Sequence, residues 1–258
     1  MEKWALITGA SSGIGAELAK LYAKRGYNLA LTARRTDRLY KIASAATSAA
    51  DDNIKTRIIT CDISDKAQCR ALYASLSDLK IDLLINCAGF GAVGVFDETD
   101  IDRQLEMIDV NCASLTLLTH LFLQDFKKCD SGAILNVASS AGLLPGGPNM
   151  AVYYATKAYV ISLTNAIHEE LSSCGSSVKI AALCPGPVNT EFDKVANVRF
   201  SLKGISARYC AKCAAMGLDK GKRIIIPESK IKALCILSKF APENIILHPT
   251  AKQQKKKI

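Results

Sequence analysis

Seven short apolar runs that alternate with longer amphipathic segments constrain the fold of this chain most strongly. The runs are KWALITG, YNLALTAR, TRIITCD, IDLLINCAG, GAILNVAS, VKIAALCPG and KRIIIP. They lack the apolar–polar alternation of a strand with one wet face, which predicts strands buried on both faces, as parallel strands between helices are. Because this strand–helix alternation is repeated so often, we predict a doubly wound α/β fold with a parallel sheet.

Length and composition agree with a single domain. The chain has 258 residues, of which 49% are hydrophobic, enough to bury a substantial core. We assign residues 1–227 to the domain and expect residues 188–205 to form a flap over a site. Residues 228–258 are predicted to be a C-terminal tail with a short amphipathic helix, KIKALCILSKF, and a basic end.

Several classes of protein are disfavoured. No apolar run reaches about 18 residues, so we expect no integral membrane segment. A strand begins within four residues of the first Met, which predicts no secretory signal and a cytoplasmic location. The formal charge of +9 is partly due to lysines in the last seven residues, which we interpret as a solvated end. No basic stripe with interleaved aromatic residues is present, so no nucleic-acid partner is expected.

The ten cysteines do not predict a disulfide framework. Most of them lie inside apolar runs, as small buried hydrophobic residues of a reducing compartment do. Cys210 and Cys213 form a single C-x-x-C pair in a helical segment. With no second pair, a metal site is the weaker interpretation and we expect no metal.

The glycine-rich segment TGASSGIG, Thr8 to Gly15, follows the first strand and precedes a helix. Glycines allow a tight turn and a close approach of the backbone to a ligand. The N-terminus of a helix offers N–H groups and a positive dipole to a phosphate. A strand-to-helix turn with serine caps would look the same, so this segment alone leaves both interpretations open.

The end of the second strand favours the phosphate interpretation. Its sequence is LTARR, with Arg34 nineteen residues after Gly15. An acidic residue here would accept hydrogen bonds from the adenosine ribose, whereas an arginine suits a 2′-phosphate. Arg35 offers a second contact. Asp62 ends the third strand, where it either accepts a hydrogen bond from the adenine amino group or caps the next helix.

A candidate chemical centre lies further along the chain. In YYATK, Tyr153 and Lys157 are at i and i+4 and share one helix face. A lysine ammonium close to a phenol lowers its pKa and prepares it for proton exchange. Ser139 and Ser140 both end the fifth strand, and only one of them should face the site. Asn111 is either a satisfied core amide or a relay element.

Together these motifs resemble the short-chain dehydrogenase/reductase family, over residues 3 to about 227. The motifs are TGASSGIG, NCAG, Asn111, Ser139, YYATK and CPGPVNT. NCAG has one residue more than the family's Asn-Ala-Gly, which leaves Asn86, Ala88 and Gly89 as the matches. The segment MAVYYATKAYV further resembles bacterial oxidoreductases of the branch labelled DltE-like.

The resemblance implies a Rossmann-like sheet of seven strands and NAD(P)-dependent hydride transfer to or from a ketone, aldehyde or alcohol. Arg34 favours NADP(H) as the cofactor. Tyr153 would be the acid/base, Lys157 would hold the nicotinamide ribose, and Asn111 would hold a water in a proton relay. The family's glycine, Gly142, selects Ser139 as the catalytic serine, although the usual spacing to the tyrosine selects Ser140.

The resemblance also implies the cofactor contacts. They are Gly9, Ser11, Ser12, Gly13, Ile14, Gly15, Arg34, Asp62, Ile63, Asn86, Ala88, Gly89, Tyr153, Lys157, Pro185, Gly186, Val188 and Thr190. A non-catalytic NADPH-binding regulator on the same fold is the alternative, and the intact set of catalytic residues argues against it. An epimerase or dehydratase of the longer branch is disfavoured by the glycine spacing.

The sequence constrains the substrate and the oligomeric state less than the fold. Segments 90–97, 143–150 and 190–205 are expected to line the substrate pocket, and their apolar or small residues predict a hydrophobic carbonyl or alcohol. The family and the apolar content of helices at 101–126 and 153–172 predict a homodimer or homotetramer. In a monomer we expect solvent exposure of three apolar residues, Leu117, Leu121 and Phe122.

Overall fold

The structure, a computed structural model, describes residues 2–50, 53–196, 204–238, 240, 242, 245–247 and 250–252. The strands in this part of the chain are β1 (Lys3–Thr8), β2 (Tyr27–Ala33), β3 (Thr56–Thr60), β4 (Ile81–Asn86), β5 (Ala133–Val137), β6 (Lys179–Leu183), β7 (Val188–Asn189), β8 (Ile205–Ser206) and β9 (Ile224–Ile225). The α-helices are α1 (Gly13–Ala23), α2 (Thr36–Thr47), α3 (Lys66–Ala74), α4 (Ile101–Ile108), α5 (Leu115–Lys128), α6 (Ala151–Ser173), α7 (Phe192–Val195), α8 (Ala207–Asp219) and α9 (Ser229–Leu237). Short 3₁₀ helices occur at Phe96–Glu98 and Ser140–Leu143.

Seven strands form one parallel sheet in the order β3-β2-β1-β4-β5-β6-β9. β7 and β8 pair separately, also in parallel. The predicted Rossmann-like, doubly wound sheet of seven strands is therefore confirmed. Each predicted apolar run contains one strand of this sheet, although β9 is only two residues long.

The sheet separates two hydrophobic cores, because successive strand residues point to opposite faces. In β1, Trp4 and Leu6 pack on the face covered by helices α3 to α6, while Ala5 and Ile7 pack on the face covered by α1, α2 and α8. Both sets are buried. This double burial explains the uninterrupted apolar runs in the sequence.

The long helix predicted over residues 101–126 is interrupted by a π-helical turn. α4 ends at Ile108, residues Asp109–Ser114 form the π turn, and α5 starts at Leu115. The extra residue of a π turn shifts the side chains that follow it, and such turns are frequent at functional sites. The turn contains Asn111, one of the predicted site residues.

Two of the three residues of α5 that we expected to be exposed in a monomer pack against the hydrophobic core of the chain instead. Phe122 is buried, and its ring meets the Tyr73 ring edge-on at 5.1 Å. Leu117 packs against the same core. The prediction for Phe122 was wrong because α3 covers this part of α5, a contact that helical periodicity does not reveal.

None of the ten cysteines, all of which lie in the described part of the chain, forms a disulfide bond, Cys210 and Cys213 included. Among the residues described, no helix is both long and apolar enough to cross a bilayer.

Candidate active site

A cleft of about 450 Å³ opens at the carboxyl edge of the sheet, a size within the range of ligand sites. The chain winds from β1 outward to β3 and then returns to β4 on the other side of β1. Ligands of doubly wound folds bind where the strand order reverses in this way. The residues after β1, β2, β3, β4, β5 and β6 all contribute to the lining of the cleft.

The glycine segment forms the floor of one end of the cleft. Gly9 and Gly13 have φ values of +65° and +57°, which favour glycine. A Cβ on Gly9 would lie 2.7 Å from the Cα of Ala88, and one on Gly15 would lie 2.5 Å from the Gly9 oxygen. Ser12 precedes α1 without capping it by its side chain. The open N-terminus of α1 therefore faces the cleft, as a pyrophosphate site requires.

All six predicted residues of this segment line the cleft; they are Gly9, Ser11, Ser12, Gly13, Ile14 and Gly15.

Two arginines follow β2 and lie beside the glycine segment, and they differ in their hydrogen-bond and ion-pair partners. Arg34 Nη1 donates to Glu106 at 3.2 Å and lies 3.7 Å from Asp62. Arg35 Nη2 donates to the hydroxyls of Ser11 at 3.0 Å and Ser12 at 2.9 Å. Both arginines line the cleft, so this end carries two guanidinium groups next to the phosphate-binding turn.

The ends of β3 and β4 form the adjacent walls. Asp62, Ile63, Ala88 and Gly89 line the cleft. The Asp62 carboxylate accepts hydrogen bonds from the backbone and the hydroxyl of Ser64 at 3.0 and 2.8 Å. It therefore stabilises its own turn in addition to its ion pair with an arginine.

Asn86 does not belong to the cleft lining, contrary to our prediction. Its side chain is buried in the core and donates to Thr119 at 3.0 Å and Asn136 at 2.9 Å. Asn86 ends β4 and its side chain points toward α5, whereas the two residues after it turn toward the cleft. Alternation along the strand decides this direction.

Three of the four predicted catalytic side chains meet in the cleft beside the end of β5. Ser139 follows β5, and Tyr153 and Lys157 lie one turn apart on α6. All three line the cleft. The Ser139 hydroxyl accepts a 3.1 Å hydrogen bond from the backbone of Ala141 and is hydrogen-bonded to Tyr153. Ser140 also lines the cleft, but Ser139 is the serine that contacts the phenol.

The pKa shifts of Tyr153 and Lys157 have the same main cause, which is burial. Burial raises the pKa of Tyr153 to about 12, against a smaller lowering by the hydrogen bond with Ser139. Burial lowers the pKa of Lys157 to about 8. We expected Lys157 to lower the pKa of the phenol. Instead its Nζ donates to the Val137 oxygen at 2.9 Å and lies 5.9 Å from the Tyr153 ring centre.

The side chain of Asn111 makes three hydrogen bonds. Its Nδ2 donates to the Phe90 oxygen at 2.9 Å and to the Thr156 hydroxyl at 3.1 Å, and its Oδ1 accepts from the Phe90 backbone at 3.1 Å. It joins the turn after β4 to α6 and does not itself line the cleft. A Cβ on Gly89 would lie 2.8 Å from Asn111 Oδ1 and 3.3 Å from Lys157 Nζ, so these groups are close neighbours.

The segment after β6 closes the cleft from the third side. Pro185, Gly186, Val188 and Thr190, four of the residues predicted to contact the cofactor, line it. A Cβ on Gly13 would lie 3.2 Å from the Thr190 methyl group, so this segment touches the glycine turn. Residues 197–203 of the predicted flap lie outside the described residues.

Two features of the cleft were not predicted from the sequence, namely the ion pairs of Glu191 with two arginines and the contribution of α9 to the lining. Glu191 accepts from Arg35 at 2.9 Å and from Arg38 at 2.6 Å. Ile231, Leu234 and Cys235 of α9 line the cleft, although we had predicted that this part of the chain was a tail. The apolar spacing of α9 was a signal for a buried face, but nothing in the sequence indicates where that face packs.

Comparison with known proteins gives consistent matches. The family described as short chain dehydrogenase matches residues 3–199. The 11-beta-hydroxysteroid dehydrogenase-like 4A of Arabidopsis thaliana is 32% identical over 256 residues, covering 96% of this chain and 83% of that protein.

Two solved structures extend the match to the fold. A short-chain dehydrogenase from Sphingobium yanoikuyae in complex with NADPH is 30% identical, with a TM-score of 0.84 and 95% of each chain covered. A short chain dehydrogenase/reductase from Burkholderia phymatum in complex with NAD is 26% identical, with a TM-score of 0.82 and 92% of each chain covered.

The sheet, the cleft and these matches define a dinucleotide-binding oxidoreductase fold with a Ser–Tyr–Lys centre. The chain belongs to the short-chain dehydrogenase/reductase family. It is an NAD(P)-dependent oxidoreductase of that family.

Proposed function

We propose that the chain reduces a hydrophobic ketone or aldehyde with NADPH, or oxidises the matching alcohol, with Tyr153 as the acid/base. The observation that carries this proposal is the contact of Tyr153 with Ser139 in a cleft whose other end is the glycine turn. A small polar centre and a phosphate-binding turn thus share one cavity, as a hydride transfer with proton exchange requires.

The residues present suit a nicotinamide dinucleotide. A Cβ on Gly9 would lie 2.7 Å from the Cα of Ala88, so only a glycine lets this turn approach the residues after β4, and both Gly9 and Ala88 line the cleft. Ser11, Ser12 and the start of α1 would hold the pyrophosphate. Arg34 and Arg35 would hold the 2′-phosphate that distinguishes NADPH from NADH. Lys157 would hold the nicotinamide ribose, and Thr190 its carboxamide.

The chain's own residues would handle the proton, while the bound cofactor supplies or accepts the hydride. Burial keeps the Tyr153 phenol protonated at neutral pH, which suits donation to a carbonyl oxygen. Ser139 would orient that oxygen. Asn111 would act by holding the Phe90 turn against α6, since both of its amide hydrogens and one lone pair of Oδ1 are engaged in that contact.

An apolar substrate fits the remaining walls. Apolar side chains of Leu144, Met150, Phe192 and Ile231 line the cleft, and the centre of the Phe192 ring lies 5.5 Å from that of the Tyr153 ring. The hydroxysteroid dehydrogenase name of the Arabidopsis relative agrees with a bulky apolar carbonyl compound. We also propose that the chain is cytoplasmic and that Val188 and Thr190 belong to a flap over the cleft.

We further propose that the chain forms a homodimer or homotetramer. α4 leaves Ile101, Leu105 and Ile108 exposed, a contiguous apolar face that a partner copy would cover.

The test is to follow NADPH absorbance with a panel of aromatic, steroid and acyl ketones, for wild type and Tyr153→Phe. We expect the variant to bind NADPH normally and to lose at least about 100-fold in kcat, the usual contribution of a general acid. Near-normal kcat in Tyr153→Phe would exclude the assigned role. The absence of turnover on every ketone, with intact NADPH binding, would favour the non-catalytic alternative.

A further inference from the structure

The C-terminal region carries a group of exposed apolar side chains. Its members are Leu234, Ile236, Leu237, Phe240 and Ile245, within a stretch of twelve residues. We call this group the C-terminal apolar patch. A surface helix normally turns its polar face to solvent. α9 instead buries one apolar face, with Cys235, and exposes a second one.

The segment that carries the patch is folded and packs on the rest of the protein. Phe240 and Ile245 lie in turns closed by backbone hydrogen bonds to Leu237 at 3.1 Å and Pro242 at 2.9 Å. A Cβ on Gly146 would lie 3.4 Å from Leu247, so residues 245–247 pack on the loop before α6. The exposed apolar side chains therefore project from a folded part of the protein.

Exposed lysines accompany the patch. Lys230 and Lys232 lie on α9 one turn before Leu234 and Ile236, and Lys252 is an exposed lysine further along the same C-terminal region. The sequence from residue 229 to the last residue has seven lysines and one glutamate. An apolar face together with a basic segment gives the two signals that reversible binding to an anionic bilayer requires.

The patch is continuous with the mouth of the cleft. Leu234 belongs to the patch and also lines the cleft, and the exposed Val195 lines it from α7. A cleft with apolar walls thus opens onto the exposed apolar surface.

We propose that this patch docks the chain on the surface of an anionic lipid bilayer. The apolar side chains enter the boundary between headgroups and acyl chains, and the lysines contact the lipid phosphates. A second copy is a poorer occupant, because a two-fold contact through this patch would bring the same lysines of both copies together.

The experiment is flotation of the purified full chain with vesicles, which needs no substrate and is independent of the proposed reaction. One set contains phosphatidylcholine only, and the other contains phosphatidylcholine with phosphatidylserine. We expect flotation with the anionic vesicles at low salt and release in high salt, because salt screens the lysines. Wild type that floats with neither set overturns the proposal.

Two variants test the contribution of the apolar side chains and that of the lysines separately. Leu237→Asp with Phe240→Asp changes side chains that are 67% and 85% exposed, so the fold should tolerate both. We expect at least about tenfold weaker binding to anionic vesicles, and a similar loss for Lys230→Gln, Lys232→Gln and Lys252→Gln together. The matched control is Tyr40→Asp with Met216→Asp, which changes exposed apolar residues of α2 and α8 and should float like wild type.

The other outcomes contradict the proposal. Unchanged flotation of the Leu237 and Phe240 variant would mean that the protein adsorbs to the vesicles through charge alone, without insertion of the apolar side chains. A smaller particle in sedimentation for that variant, without flotation of wild type, would identify the patch as a contact between copies. NADPH titration of each variant verifies that it is folded, because none of the substituted residues lines the cleft.

Discussion

Glu191 and Arg35 are joined across the cleft, with Oε2 of Glu191 accepting a 2.9 Å hydrogen bond from Nη1 of Arg35. Arg35 follows β2 and Glu191 precedes α7, so the pair connects the phosphate end of the cleft to the segment after β6. Hydrogen bonds from Arg38 and Arg35 lower the pKa of Glu191 to about 2, which keeps it charged at physiological pH. A cofactor phosphate at Arg35 would have to compete with this carboxylate.

We therefore expect Glu191→Gln to bind NADPH more tightly. Removing one competing charge at an exposed ion pair should lower the Kd for NADPH about two- to fivefold. The Kd for NADH should change less, because NADH has no 2′-phosphate. Fluorescence titration with both cofactors measures this. An equal gain for NADH and NADPH would show that Glu191 affects the pyrophosphate end or the flap rather than Arg35.

Arg34 should select NADPH over NADH. Charge-assisted hydrogen bonds contribute about 1.5–3 kcal/mol each, and the exposure of Arg34 places its contribution at the lower end. Arg34→Asp should reduce the NADPH-to-NADH preference at least about tenfold, because a carboxylate repels phosphate and accepts from ribose hydroxyls. Dissociation constants for both cofactors test this, with Arg208→Asp on α8 as a control for net charge. A preference unchanged in Arg34→Asp would limit this arginine to its ion pairs with Glu106 and Asp62.

Lys157→Met should stabilise the fold at neutral pH while it abolishes turnover. Lys157 has a pKa of about 8 in the folded chain against an ordinary value of 10.5. Its buried ammonium is destabilising below pH 8. Stability then rises with pH between about 8 and 10.5, where the unfolded chain binds more protons. At about 1.4 kcal/mol per pH unit the penalty is about 3 kcal/mol, partly offset by the hydrogen bond to Val137.

The expected gain in the free energy of unfolding is thus about 1–2 kcal/mol at pH 7, and it should shrink as the pH approaches 10. Urea unfolding without cofactor at several pH values measures it. Lys222→Met replaces an exposed lysine and should show no such pH dependence. A Lys157→Met protein less stable than wild type at pH 7 would mean that the ammonium stabilises its surroundings.

Gly142→Ala should damage the catalytic centre. A Cβ there would lie 2.4 Å from the backbone carbon and oxygen of Lys157, and neither backbone can yield easily. We expect a loss of about 1–3 kcal/mol in stability and a fall in kcat, because α6 would be displaced. Gly146→Ala is the matched control, since its Cβ would meet only Leu247 at 3.4 Å. Urea unfolding and turnover measurements on both variants test this prediction. Equal stability of the two variants would refute the close contact between residue 142 and the Lys157 backbone.

Leu105→Glu with Ile108→Glu should dissociate the proposed oligomer. These residues lie on the exposed apolar face of α4, and charges there would oppose its burial by a second copy. Sedimentation velocity at micromolar concentration should show wild type as a dimer or tetramer and the variant as a smaller species. Tyr40→Glu on α2 serves as the control. A wild type that sediments as a monomer would contradict the assembly itself.

The seven apolar runs determined the strands, because a strand buried on both faces must be apolar along its whole length. The glycine turn could also be predicted, since positive φ values at Gly9 and Gly13 require a residue without a Cβ. The pairing of Tyr153 and Lys157 on one helix face follows from the helical repeat alone. These features depend on local geometry, which the order of residues specifies directly.

Only the tertiary structure decided which side chains meet. Asn86 turns into the core, Phe122 is covered by α3, and α9 lines the cleft. The contact of Glu191 with Arg35 joins residues 156 positions apart. The burial that raises the pKa of Tyr153 also arises from several elements together. Such contacts depend on how whole elements pack, and the periodicity of one segment contains no information about the partner that will cover it.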